Sequence, residues 1–146
     1  MRVLAVLAFS PTWVTSRPGG NRARPDDTTA LASFARVAAQ RYAARGVHHW
    51  EIWNEPNTET FWPPIPDVEE YGRLFRVATG ALRGVDPHAT VLIGGLSPTY
   101  GPPTVDVDPA TYLRRLYDDG AAQLQEHALH EHADVGVDGG LAPQLR

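Results

Sequence analysis

Apolar positions along the chain alternate between short continuous runs and longer stretches of helical spacing. The first run, Val3 to Phe9, is almost unbroken and of strand length, the pattern of a strand covered on both faces as in parallel sheets. A polar loop follows from Ser16 to Asp27, broken by Pro18, Gly19, Gly20, Asn21 and Pro25. From Asp27 onward, Leu31, Phe34, Ala35, Ala38 and Tyr42 recur at helical spacing, and Gly46 is placed to stop that helix. Val47 to Trp53 then reads as a second strand, with Pro56 biasing Glu55 toward extended backbone.

The same rhythm repeats downstream. Asp67 is a good N-cap with Glu70 three residues on, the spacing of a capping box, and Tyr71, Leu74, Phe75, Ala78 and Leu82 form one apolar stripe. The Asp86-Pro87 break ends this helix, and Thr90 to Ile93 predicts a third strand running into Gly94-Gly95-Leu96-Ser97-Pro98. Asp108 and Pro109 open a last helix as N-cap and first-turn proline, with Tyr112, Leu113 and Leu116 on one face. A β-α-β-α-β-α order predicts βαβ units and a parallel sheet, which either a barrel or an open sheet would accommodate. After Gly120 no period is visible, so 121–146 is expected to be an irregular tail, either disordered or frame-altered.

Composition narrows the function classes. The chain has 146 residues, 42% apolar and 21% charged, which is globular and sets one domain as the ceiling. Its net charge of −4, with no basic run, disfavours nucleic acid and anionic membrane surfaces as partners. There is no cysteine, so disulfides and thiolate chemistry are excluded, and compartment stays open. The N-terminal apolar run ends in Ser10-Pro11-Thr12-Trp13 and not in a small-residue cleavage site, so a buried strand is expected there and not a signal peptide. Glycine-rich phosphate loops are absent, and no nucleotide cofactor is expected. The tail places Glu126, His127, His130, Glu131 and His132 together, but Asp134 stands where a zincin helix needs histidine, so no metal site is expected.

The chemistry concentrates in Trp50-Glu51-Ile52-Trp53-Asn54-Glu55-Pro56-Asn57. Glu55 falls where a strand stops, the end at which parallel α/β folds place their ligands. Trp13, Trp53 and Trp62 offer flat apolar faces against which a ligand can pack, and Asn54 an amide for a polar contact. Trp50 reads as core, Glu51 and Arg36 as solvated charges, and Tyr100 as equally a cleft or a structural residue. His48 and His49 lie too early in the strand to be catalytic.

This stretch resembles the acid/base strand of clan-A glycoside hydrolases, notably the cellulase-like family five and the xylosidase-like family thirty-nine. The resemblance implies a (β/α)8 barrel in which Glu55 ends the fourth strand as general acid/base and Asn54 contacts the sugar. Val3 to Trp13 is similar to that fold's third strand and Thr90 to Pro98 to its fifth, so residues 1–120 are expected to form about three β/α units of a partial barrel. The implied activity is retaining hydrolysis of β-linked saccharides, which requires a second carboxylate on the sugar's other face. The family's nucleophile, a glutamate ending the seventh strand, has no match after Glu55, and a whole barrel needs about 250 residues. The expected chain is therefore a fragment of a longer gene, poorly stable and inactive alone, with a saccharide as ligand and self-association through unpaired strand edges. The alternatives are a non-catalytic carbohydrate-binding remnant, and a half-barrel module completed by a second copy or a partner.

Overall fold

The computed structural model describes residues 2–98 and 105–120. Three strands, β1 (Leu4–Leu7), β2 (His49–Ile52) and β3 (Thr90–Ile93), alternate with three helices, α1 (Thr28–Tyr42), α2 (Val68–Arg83) and α3 (Pro109–Asp118). The strands form one parallel sheet in the order β1-β2-β3. The register aligns Val6 with Glu51 and Leu92, and Leu7 with Ile52 and Ile93.

The helices start where the sequence places them, for electrostatic and hydrogen-bonding reasons. The carboxylates of Asp27, Asp67 and Asp108 accept from the backbone N–H of Thr29, Glu70 and Thr111, satisfying donors that the first helical turn leaves free. Glu70 departs from the capping-box expectation, because its carboxylate pairs with Arg24. α1 ends through a short 3-10 turn at Ala43–Arg45, then Gly46 in the left-handed conformation that glycine tolerates best. The predicted stripe of α2 is wholly buried, from Tyr71 to Leu82.

α1 differs from its predicted stripe. It packs on α2 and buries Leu31, Ala35, Ala38 and Ala39, whereas Phe34 and Tyr42 are exposed. Phe34 and Val37 lie instead on the side of α1 toward the loop after β1. There they line an apolar groove of about 840 Å³ with Phe9, Pro11, Trp13 and Val14.

The sheet also departs from expectation. Side chains alternate between its faces, so Leu7, Trp50, Ile52 and Val91 join the helical core while Leu4, Val6, His49, Glu51, Thr90 and Leu92 share the other face. Leu4, Val6 and Leu92 are exposed, so the described elements cover one face of the sheet and not two. A continuous apolar run records that both faces are built for cover, and only one cover lies among the described residues. None of the described helices is long and apolar enough to cross a membrane.

Candidate active site

The site forms where β2 ends. The Trp53 N–H donates to the Leu7 carbonyl at 2.9 Å, carrying the ladder one residue past the strand, and the backbone then turns left-handed at Trp53 (φ 72°) and again at Glu55 (φ 43°). Phe9, just beyond β1, is left-handed too (φ 69°). Such conformations cost non-glycine residues on the order of 1–3 kcal/mol each and persist where surrounding structure over-determines them. Three at one end of a three-stranded sheet mark that end as specialised.

Glu55 is left-handed and not extended as Pro56 led us to expect. Its N–H donates to the Gly95 carbonyl at 2.9 Å, and its own carbonyl accepts from the Thr58 N–H (3.0 Å) and hydroxyl (3.1 Å). Long-range and turn hydrogen bonds thus override the local pre-proline bias. The Glu55 side chain is half-buried and has no partner among the described residues, and the same holds for Asn54. A rigid backbone presenting an uncommitted carboxyl is what a proton-transfer group needs.

The facing loop, Gly94 to Ser97, is pinned to the end of β2 by three side chains. The buried Tyr71 hydroxyl donates to the Ile52 carbonyl (2.9 Å) and accepts from the Gly94 N–H (2.8 Å). Burial pushes the Tyr71 pKa well above the usual phenol range, so the group stays a neutral hydrogen bonder. The Glu51 carboxylate accepts from the Gly95 N–H at 3.0 Å. Asn57, wholly buried, donates to the carbonyls of Ser97 (2.8 Å) and Val107 (3.0 Å) and accepts from the Ser97 N–H (3.0 Å). At Gly94 a Cβ would stand 2.9 Å from the Ile52 carbonyl oxygen, so only glycine allows this approach.

Sequence reasoning missed Glu51, read as a solvated charge, and passed over Asn57. Their partners lie 44 and 40 or more residues away, and the only local signal was their membership of the Trp50 to Asn57 stretch.

The tryptophans divide sharply. Trp13 is 82% exposed and lies beyond the C-terminal end of β1, on the rim of the apolar groove. Trp53 and Trp62 are both 0% exposed, which corrects the expectation that they present open faces to a sugar. The left-handed turn at Trp53 folds its indole inward, edge-on to Phe9 and Trp62, with Nε1 donating to the Phe61 carbonyl at 2.7 Å. Trp62 packs in turn against Tyr71 and under the Arg24 guanidinium, whose pKa burial lowers while Glu70 opposes that shift. These rings support the site from behind. Trp50 is core as expected, and His48 pairs with Asp86 at 2.7 Å, away from the strand end. No group of metal-ligating side chains occurs among the described residues. Tyr100 and the tail residues Glu126, His127, His130, Glu131 and His132 lie outside the described residues.

A parallel α/β sheet with an uncommitted glutamate at its C-terminal mouth, inside this tryptophan-rich motif, places the chain among the clan-A glycoside hydrolases as a partial domain. The chain belongs to the glycosyl hydrolases family 39, whose model matches residues 28–112, more than half of its length. Among individual proteins, it is 41% identical over 54 residues to a beta-xylosidase of Geobacillus stearothermophilus, covering 36% of this chain and 10% of that one. A beta-xylosidase of Caldicellulosiruptor saccharolyticus is 36% identical over 64 residues, covering 42% and 13%. In structure the chain is similar to a monomeric beta-xylosidase from Caulobacter crescentus CB15, with a TM-score of 0.53 and 26% identity over 60% of this chain and 20% of that one. The matched stretch thus spans about a tenth of the length of these curated relatives.

Proposed function

We propose that the chain carries the acid/base part of a retaining glycoside hydrolase acting on β-linked saccharides, with β-xylosides the substrates suggested by its relatives. In this reading residues 1–120 are three β/α units of a (β/α)8 barrel, equivalent to its third to fifth strands, and 121–146 lie outside that domain. The observation that carries it is the half-buried, unpartnered Glu55 side chain on a braced left-handed backbone at the strand end. Glu55 protonates the glycosidic oxygen as the bond to the anomeric carbon breaks, and later takes a proton from the attacking water. Asn54 contacts a sugar hydroxyl, and Trp13 supplies an exposed ring for sugar C–H groups.

Retention needs a second carboxylate about 5–5.5 Å from the first. Neither the end of β1 nor that of β3 carries one. The chain alone should therefore hydrolyse poorly, and an added small anion should take the missing role. The test is cleavage of phenyl β-xyloside, whose leaving group needs a proton, by the purified chain with and without azide. Azide attacks the anomeric carbon, the aryl oxide departs with the proton of Glu55, and the glycosyl azide is the product. Azide-dependent cleavage that is lost in Glu55→Gln supports the reading; an equal rate in both proteins refutes it.

The exposed sheet face at Leu4, Val6 and Leu92, with β1 and β3 unpaired on their outer edges among the described residues, favours a second reading, a half-barrel completed by self-association or a partner. Sedimentation velocity across a concentration series separates this from a monomer. A carbohydrate-binding remnant would instead bind xylo-oligosaccharide equally well in Glu55→Ala and lose it in Trp13→Ala.

A further inference from the structure

Glu51 lies four residues before Glu55, on the sheet face that the helices do not cover. It is not a free surface charge. Its carboxylate accepts from the Gly95 N–H at 3.0 Å, and the carbonyl of the same Gly95 accepts from the Glu55 N–H at 2.9 Å. One residue therefore joins the two glutamates, donating its N–H to the carboxylate of one and accepting at its carbonyl from the N–H of the other. Nothing in local propensity favours the resulting conformation at Glu55, because a residue before proline is pushed toward extended backbone and a non-glycine residue avoids positive φ. An external brace must hold it, and the Gly95 carbonyl is the only partner of the Glu55 N–H among the described residues.

We propose that Glu51 is a positioning residue for Glu55, acting through Gly95 to keep the Glu55 backbone left-handed and its carboxyl aimed out of the strand end. The inference rests on the reading of Glu55 as the acid/base group for its functional meaning, but its physical content is a conformation. The direction of the effect follows from the geometry. A charge-assisted hydrogen bond to a backbone N–H fixes the plane of the Gly94–Gly95 turn, which Tyr71 holds at Gly94 and Asn57 holds at Ser97. Glu51 acts at the middle of that turn, beside the carbonyl that Glu55 uses. Without it, Gly95 keeps no side-chain restraint of its own, and the pre-proline bias draws Glu55 toward the extended region.

The test is nuclear magnetic resonance on the full chain, comparing wild type with Glu51→Ala and Glu51→Gln. Two observables report on Glu55: the exchange rate of its amide proton and the three-bond amide-to-Hα coupling that follows φ. In Glu51→Ala, exchange at Gly95 and Glu55 should accelerate about tenfold, the loss of one modest hydrogen bond. The Glu55 coupling should shift toward its extended value, while the amides of Trp50 and Ile52 keep their rates. Glu51→Gln retains an acceptor oxygen, so its Glu55 exchange should stay within about threefold of wild type. Glu51→Leu, which removes the acceptor but keeps side-chain bulk, should give the same Glu55 coupling if Glu51→Ala does not fold.

An unchanged Glu55 coupling in both deletions, uniform acceleration across the sheet, or failure of Glu51→Gln to restore Glu55 would each overturn the proposal. None of these readings depends on turnover. A chain inactive toward xylosides would therefore refute the catalytic reading and leave this inference decided on its own evidence.

Discussion

Replacing Asn57 by alanine should cost more stability than any surface change of the same size. Asn57 is wholly buried, and its amide makes three hydrogen bonds to backbone groups of Ser97 and Val107, in segments remote from it in sequence. The deletion strands two carbonyls and one N–H. At about 1 kcal/mol for each net hydrogen bond, with water reaching the half-buried Ser97 and Val107, the expected loss is about 3 kcal/mol. Domains of this kind hold roughly 5–15 kcal/mol in total, and a sheet face left uncovered by the described elements places this one low in that range. The urea midpoint should therefore fall by about half if the total is near 6 kcal/mol. Tryptophan emission is a suitable readout, because Trp50, Trp53 and Trp62 are buried and shift to the red on unfolding. Asn57→Asp should be at least as damaging, since it turns a second acceptor toward the Ser97 and Val107 carbonyls. A loss below about 1 kcal/mol in Asn57→Ala, or a milder effect of Asn57→Asp, would refute the clamp.

Three further outcomes follow from named contacts. Gly94→Ala brings a Cβ to 2.9 Å from the Ile52 oxygen and 3.0 Å from the Trp53 carbonyl, all backbone atoms, so it should cost about 2 kcal/mol by thermal denaturation, and a neutral effect would show that the two loops are not locked together. Trp13→Ala should leave stability within about 0.5 kcal/mol, because the ring is exposed, yet weaken binding of xylo-oligosaccharides in a chemical-shift titration; unchanged binding would remove Trp13 from the site. The Asp27 carboxyl is held below the ordinary carboxylate range, first by the Thr29 hydroxyl and then by its backbone N–H. A depressed folded-state pKa contributes stability that is present above the unfolded value of about 3.9 and is lost as pH falls below it, so Asp27→Asn should flatten the acid limb of a plot of melting temperature against pH. An identical limb in both proteins would contradict that linkage.

What was legible in the sequence was what depends on neighbours along the chain. The N-caps at Asp27, Asp67 and Asp108, the glycine stop at Gly46, the stripe of α2 and the parallel order of strands all follow from period and local hydrogen bonding. What failed depends on distant partners. The left-handed Glu55 needs Gly95, which lies 40 residues on, and Glu51 looked like a solvated charge because its acceptor role exists only once β3 lies beside β2. The inward turn of Trp53 reverses the face its strand position suggests, and so buries a ring that alternation would have exposed. Phe34 fits the helical period of α1 but not its buried face, which is made of Leu31, Ala35, Ala38 and Ala39. A continuous apolar β1 likewise says that two covers suit it, without saying how many are present.

The account turns on Glu55 as the proton donor to a departing glycosidic oxygen. Its most direct measurement is the leaving-group dependence of the Glu55→Gln effect in azide-supported cleavage of aryl β-xylosides. A phenoxide needs a proton to leave and a dinitrophenoxide does not. The account predicts that Glu55→Gln slows the phenyl xyloside by about 10²–10⁴-fold and leaves the dinitrophenyl xyloside nearly unaffected. Equal slowing of both substrates, or of neither, would contradict it.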